Sequence, residues 1–332
     1  MAANNELESL YRFRKDWKPG GIHVEKAGGQ TNRNFIVTSD QGKVFVRIPW
    51  ERSDIVNRDI EGMNILALSK NEKTSSIVPK YQIYVLGRRN ILDPLSHEFD
   101  LPDGAMVTSY IEGKQLDGDM LRVKSVQNAL VESLHTFHTS GVQFVNEYDV
   151  FRDEVDKYRG EAERHDIEQL FPKEVAEQTK TIEKQAMERL PIGGKISTHN
   201  DLIVENLILG EDGKVYIIDF EYSGRNIRSG LPYDIGILLG GNMFHNKPVT
   251  FDIFEGILDS ASHIYEEPLN REQIFYGALT NVIVMFWWGV VRYFSVESQD
   301  EKAYFRKYVL DRARGIQELD THLRRGRSSP ER

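Results

Sequence analysis

The stretch His199-Asn-Asp-Leu-Ile-Val-Glu-Asn206, followed thirteen residues later by Ile218-Asp219-Phe220-Glu221, constrains this chain more than any other. It lies in a short β-like island from Lys195 to Phe220, where the turn Glu211-Asp-Gly213 joins two strands. A histidine, two aspartates and two asparagines are thereby held beside apolar strands. Taken singly, Asn206 and Asp219 read as ordinary turn and strand-end residues. The full set at this spacing points to a site.

Those residue types suit phosphoryl transfer, which asks for positioning and charge neutralisation more than for covalent chemistry. Asp201 would accept a hydrogen bond from a substrate hydroxyl and aim it at a γ-phosphate. Asn206 offers a neutral amide oxygen and Asp219 a carboxylate to a divalent cation. Hard oxygen donors completed by water and phosphate suit Mg2+. His199 is read as ordering the loop and not as a base.

A lobe to cover a nucleotide is legible upstream. Strands are expected at 22–26, 34–38 and 44–48, the last ended by Pro49, which has no N–H for a ladder. A helix follows with Ile55, Ile60, Met63, Ile65, Leu66 and Leu68 on one face and Ser53 or Asp54 as its cap. Further strands are expected at 81–85 and 106–111. The loop Gly28-Gly29-Gln-Thr31-Asn32 could lay backbone N–H groups over phosphates, although two glycines between strands commonly mark only a hairpin. Arg47 is a charge at the end of an apolar strand, and Glu61 on the next helix could pair with it. The segment Thr108-Ser109-Tyr-Ile111-Glu-Gly113 would be a hinge whose backbone meets adenine.

Beyond Gly113 the pattern is mostly helical: residues 126–137 with Gly141 as C′, a charged helix at 173–188, and helices from about Pro232 to Leu323. The apolar run Val282–Val291 spans about ten residues where a membrane crossing needs about twenty, so it reads as a buried helix. Residues from Arg324 onward read as a basic frayed tail; nine basic and four acidic residues fall within 302–332. His135 and His138 lie at i, i+3 without an evident third ligand, which favours a core histidine over a metal site.

Composition excludes several classes of function. The 332 residues include no cysteine, which removes disulfides, thiolate metal sites and cysteine nucleophiles, and fits a cytoplasmic protein. A net charge of -9 argues against coating nucleic acid or anionic membrane. The first residues lack a basic segment followed by an apolar one, so no secretion signal is expected.

Taken together, the sequence resembles the choline/ethanolamine kinase branch of the aminoglycoside phosphotransferase and protein-kinase-like superfamily. The segments that carry the resemblance are GGQTNRNFIV (28–37), FVRIP (45–49), VTSYIEGKQL (107–116), HNDLIVEN (199–206), IDFEYSGRNIR (218–228), YDIG (233–236) and FWWGVV (286–291). The resemblance implies an α+β, bilobal protein-kinase-like fold. Residues 1–111 would form a small β-rich nucleotide-covering lobe, 112–325 a larger helical lobe, and 326–332 a basic tail. It implies ATP and Mg2+ as cofactors, with Asp201 as base and Asn206 and Asp219 as metal ligands. Gly29, Thr31, Asn32, Arg47, Glu61, Ser109 and Ile111 would attend the nucleotide, and Asp234 would anchor the core. Asp201, Glu221, Tyr222, Trp288 and Tyr308 would surround the acceptor, a small cationic alcohol, since a quaternary ammonium is recognised by aromatic faces and carboxylates. Trp288 can equally be core on so apolar a helix. No nucleic acid and no stable membrane insertion are expected, and a homodimer is compatible with the sequence.

The chain also departs from that branch. Val291 stands where a second tryptophan is usual, and Ile237–Asn242 replaces acidic and aromatic residues that commonly follow the YDIG-like aspartate. Phe244, Phe286, Phe305 and Tyr308 could rebuild an aromatic wall. Choline is therefore the first expected acceptor, with ethanolamine, thiamine and aminoglycosides behind it, and a silent nucleotide-binding scaffold is the rival of another class. A protein kinase is disfavoured, because Asp219 and Asp234 are only fifteen residues apart, too few for an activation loop and a peptide-docking platform.

Overall fold

The computed structural model describes residues 11, 13, 17, 21–28, 32–49, 56–93, 95, 98–228 and 230–328. An antiparallel sheet is built from β1 (His23–Ala27), β2 (Asn32–Ser39), β3 (Gly42–Pro49), β4 (Tyr81–Leu86), β5 (Arg89–Asn90) and β6 (Met106–Ser109). Its strand order is β1-β2-β3-β6-β4-β5. The period of two along β3 sends Val44, Val46 and Ile48 into an apolar layer with Phe35, Val37, Val85 and Val107. Arg47 is thereby turned to the opposite face. There it meets helix α1 (Arg58–Lys70), which packs on β4.

The helix α1 begins later than the sequence pattern suggested. Its cap is Asn57, whose side chain accepts the N–H groups of Asp59 and Ile60 at 3.1 Å, and not Ser53 or Asp54, which lie outside the described residues. An amide oxygen next to the first turn satisfies two orphan donors there, and no upstream residue is needed.

The remainder is mainly helical: α2 (Lys124–His138), α3 (Asp156–Ala162), α4 (Lys173–Arg189), α5 (Gly230–Gly240), α6 (Phe251–Ile264), α7 (Arg271–Ser295) and α8 (Gln299–Ser328). A π-helical turn, Phe151–Val155, leads into α3. Helix α7 is long and apolar enough to cross a membrane by length and composition, yet its most apolar window is 83% buried inside the protein. It packs against α5 at backbone contact. A Cβ on Gly236 would lie 2.4 Å from the Ala278 nitrogen, and one on Gly277 would lie 2.6 Å from the Pro232 oxygen. The glycine of the YDIG segment is thus a steric requirement of the helix crossing.

Two small sheets hold the loops of the site. One orders β11 (Val215–Ile217), β10 (Leu207–Gly210) and β7 (Gly113–Gln115). The other orders β8 (Glu147–Tyr148), β12 (Gly224–Arg228) and β9 (Ile192–Thr198). Strand β12 escaped the sequence reading because its inward residues are polar: Asn226 and Arg228 are buried, the latter paired to Asp149 at 3.0 Å. Gly141, expected as a C′ residue, falls two positions past the Thr139 cap, with φ +74°. The basic tail is corrected as well. Helix α8 continues through Arg324 to Ser328, and Arg324 pairs with Asp320 one turn back at 2.8 Å.

Candidate active site

The loop between β9 and β10 is held in an uncommon backbone conformation by a buried carboxylate. Asn200 has φ +65°, a region non-glycine residues seldom occupy. Asp234, fully buried on α5, accepts the N–H groups of His199 at 3.0 Å and Asn200 at 2.8 Å. His138 reaches the same carboxylate at 2.9 Å and Tyr265 with its other nitrogen at 2.8 Å. His138 is therefore a core residue. The described group of acids close enough to share a metal ion is Glu61, Asp219 and Glu221, and neither His135 nor His138 belongs to it.

His199 is neutral in this setting. Its Nε2 faces the Ile218 carbonyl at 2.8 Å and must donate, while Nδ1 accepts the Asp201 N–H at 3.2 Å. Burial pushes its pKa below the ordinary histidine value, against the pull of Asp234. It ties the segment carrying Asp201 to the strand end carrying Asp219, as the sequence suggested.

Asp201 and Asn206 meet directly. Asn206 Nδ2 donates at 2.9 Å both to the Asp201 carbonyl and to its carboxylate Oδ2. The Asn206 amide oxygen is thereby turned away from Asp201. Burial, then the charges of Asp219 and Glu154, push the Asp201 carboxyl up to about 8. Asp219 also stands at positive φ, +64°, and burial raises its pKa while Arg47 opposes the rise.

Arg47 and Glu61 form the expected pair. Arg47 Nη2 lies 2.6 Å from Glu61 Oε1 and donates to the Gly104 carbonyl at 3.1 Å; Nη1 lies 3.5 Å from Asp219 Oδ1. Burial opposes the Arg47 charge, and the carboxylates of Glu61 and Asp219 outweigh it, so its pKa is raised. Glu61 is buried as well, yet Arg47 and Arg58 hold its pKa below the usual carboxylate value. Its second oxygen accepts from Arg58 at 2.7 Å and from the Tyr84 hydroxyl at 2.8 Å.

Arg58 is a member of this network that the sequence reading missed. It also donates to Asn32 Oδ1 at 3.1 Å and lies 3.6 Å from Glu221 Oε2. Asn32 and Glu221 are thus drawn into one charged layer with Asp219. Glu221, expected among the acceptor residues, is pushed up to about 8 by burial and by Asp219. Gly29 and Thr31 lie outside the described residues. At the hinge, Ser109 donates its N–H to the Lys80 carbonyl at 2.9 Å and accepts the Lys80 N–H on its hydroxyl. Ile111, two residues on, has no hydrogen-bond partner for its backbone among the described residues.

On the other side of Asp201 stands a cluster of tyrosines around a second missed residue, Glu154. It sits in the π-helical turn, accepts a short hydrogen bond from Tyr148, and is pushed up to about 7 by burial. Tyr158 and Tyr222 both feel its charge and that of Asp201, and burial raises their pKa values. In sequence Glu154 is one acid among many on a charged helix, and only its burial singles it out. Trp288 is half-buried, edge-on to Phe305 at 5.8 Å and to Tyr308 at 5.5 Å.

Residues able to hold Mg2+ are present. Asp219 Oδ1 and Glu221 Oε2 are buried without a hydrogen-bond donor, and the Asn206 amide oxygen is free of the Asp201 contact. Ligand oxygens of Asp219 and Glu221 lie within 4.8 Å of each other and of Glu61, and hard oxygens of this kind suit that ion.

A family model for choline/ethanolamine kinase matches residues 25–253. No curated protein matches the chain in sequence. Among solved structures, a choline/ethanolamine kinase family protein from Mesorhizobium loti is 18% identical with a TM-score of 0.70, covering 96% of this chain and 95% of that one. The choline kinase LicA from Streptococcus pneumoniae is 22% identical with a TM-score of 0.68, covering 97% and 98%. A spectinomycin phosphotransferase, solved with ADP and its antibiotic, is 11% identical with a TM-score of 0.63, covering 95% and 98%. These likenesses bear out the bilobal kinase-like fold, and the family match extends over more than two thirds of the sequence. The chain belongs to the choline/ethanolamine kinase family, phosphotransferases with an alcohol as acceptor.

Proposed function

We propose that the protein transfers the γ-phosphate of ATP to the hydroxyl of a small amine-bearing alcohol. The observation that carries this reading is the convergence of Asp201, Asn206 and Asp219: the Asn206 side chain donates to Asp201 at 2.9 Å, its backbone carbonyl accepts the N–H of Ile218, next to Asp219, at 3.0 Å, and Arg47 lies 3.5 Å from Asp219. The nucleotide would lie between the sheet of residues 1–111 and the helical part from 112 onward, with Ile111 offering its backbone to adenine. Arg47 would meet the phosphates, positioned by Glu61. ATP as donor goes with the cytoplasmic location expected from the sequence.

In this reading Asp201 accepts the hydrogen bond of the acceptor hydroxyl, orients its oxygen in line with the γ-phosphorus, and receives the proton. A bond forms from the acceptor oxygen to phosphorus as the bond to the β–γ bridging oxygen breaks, and ADP leaves. Asn206 and Asp219, with Glu221 beside them, would hold Mg2+. That ion, when bound, supplies neutralisation of the phosphate charges. Glu154 and the tyrosines around it favour an acceptor with positive charge on the Asp201 side.

A screen of acceptor-dependent ADP formation from Mg·ATP tests the reading. Choline heads the list, followed by ethanolamine, thiamine and aminoglycosides. Turnover with at least one amine-bearing alcohol is expected. Binding of Mg·ATP with no acceptor-dependent ADP would favour the catalytically silent nucleotide binder.

A further inference from the structure

One buried cation next to the acceptor side of the site has no carboxylate to answer it. Arg312 on α8 is 7% exposed. Its guanidinium lies 3.6 Å from the centre of the Tyr308 ring and 4.8 Å from that of Phe244. Among the described residues no carboxylate comes within ion-pairing distance, and its buried Nε has no hydrogen-bond partner. The other buried arginines differ: Arg47 has Glu61 at 2.6 Å and Arg228 has Asp149 at 3.0 Å. A guanidinium withdrawn from water is costly unless paired, and aromatic faces return only part of that cost.

The place of this cation in the fold is specific. Tyr308 lies close enough to Asp201 to feel its charge. Phe244 belongs to a turn bound to the catalytic loop, where Asn242 accepts the Val204 N–H at 2.9 Å and His245 lies 3.0 Å from Glu205. Both rings fill space left by glycines: a Cβ on Gly289 would lie 2.7 Å from Tyr308, and one on Gly315 would lie 2.7 Å from Phe244. A second arginine, Arg292, covers Trp288 at 6.0 Å and Phe305 at 5.5 Å, also with no described carboxylate beside it. The rings of Trp288, Phe305, Tyr308 and Phe244 are covered by the chain's own guanidinium groups, which leaves the tyrosines around Glu154 for an amine.

We propose that Arg312, joined to Arg292 through the contacts of Tyr308 with Trp288 and Phe305, receives an anionic group on the acceptor, a carboxylate or a phosphate. This rests on the kinase reading and narrows it. The acceptor is a hydroxyl compound carrying an oxyanion as well as an amine, with the amine toward Glu154 and Asp201 and the oxyanion toward Arg312. Choline and ethanolamine lack the second group.

Matched acceptor pairs test the proposal. L-serine against ethanolamine, and L-homoserine against 3-amino-1-propanol, differ by a carboxylate; glycerol 3-phosphate against glycerol differs by a phosphate, so the arms separate the two sources of charge. In at least one pair the anionic member should have a kcat/KM roughly thirtyfold higher or more. Arg312→Gln should abolish that preference by raising the KM of the anionic member alone, and Arg312→Lys should keep part of it. A wild-type enzyme that favours the uncharged-tail member in every pair, or turns over only acceptors without an oxyanion, overturns the proposal and leaves the kinase reading standing. An equal loss on both members in Arg312→Gln overturns it too, since a purely structural arginine would act that way. If Arg312→Gln does not fold, the wild-type preference decides alone. Failure of the wild type to bind Mg·ATP, or binding without turnover of any acceptor, removes the kinase reading and this proposal together.

Discussion

The two sides of the site solve the problem of buried charge in opposite ways. On the sheet side, Arg47, Arg58, Glu61, Asp219 and Glu221 form a layer in which each arginine meets a carboxylate within 3.6 Å. On the helical side, Arg312 meets the rings of Tyr308 and Phe244 and the Tyr308 hydroxyl with no described carboxylate at ion-pair distance, and Glu154 accepts from Tyr148 with no described cation at ion-pair distance. A layer in which each arginine already meets a carboxylate is preorganised before any ligand arrives. A region that leaves charges uncompensated is specified by what will bind there. In the proposed reading the first region carries the phosphoryl chemistry and the second chooses the acceptor.

The largest effect that can break this contrast belongs to Asp219. Asp219→Asn should lower kcat by a factor on the order of 10^3 while circular dichroism and melting stay near wild type. Ordinary turnover in that variant would remove Asp219 from the reacting layer. Next in size is a loss of stability. Arg47→Met leaves Glu61 with one arginine and Asp219 with none at ion-pair distance, and should cost about 3–5 kcal/mol in urea unfolding. A cost below about 1 kcal/mol would show that the layer is not a paired unit.

How much of this was legible in sequence follows from how local each signal is. The Asp201–Asn206 pair lies within one loop, and Asp219 ends a strand that follows a tight turn, so spacing alone brings them near. Arg47 and Glu61 were legible because a charge on an alternating apolar strand needs a partner on the next element. Arg58, Glu154 and Arg312 were not. Each is one charged residue among many on its helix, and its meaning comes from segments far away in the chain: Glu221 for Arg58, Asp201 for Glu154, and Phe244 for Arg312. The same holds for β12, whose polar interior hides the strand period that apolar residues would have shown.

A pH experiment sharpens the helical side. The Glu154 carboxyl is pushed up to about 7 in the folded protein, above its ordinary value near 4.5. Below pH 4.5 it carries its proton in both states. Between pH 4.5 and 7 the unfolded chain ionises first, so the folded state loses relative stability as pH rises, and the loss is complete above 7. Glu154→Gln keeps an acceptor for the Tyr148 hydroxyl and lacks this titration. Its stability relative to wild type should therefore grow by on the order of 2–3 kcal/mol across that window. A flat difference would show that Glu154 is not held as an unpaired acid.

The smallest effect expected is at Trp288. Its half-buried ring lies under Arg292, so Trp288→Ala should raise acceptor KM about three- to tenfold with kcat little changed. An unchanged KM in a folded variant would move Trp288 from the pocket to the core.

The central claim is that Asp201 acts on the acceptor and not on the nucleotide layer, which is complete without it. Asp201→Asn, assayed with the best acceptor from the screen, tests this by comparing kcat with the affinity for Mg·ATP in the same variant. The account predicts a kcat lower by about 10^2 to 10^4, with Mg·ATP affinity within about threefold of wild type. A kcat close to wild type, or a loss of Mg·ATP affinity that accounts for the whole defect, would contradict it.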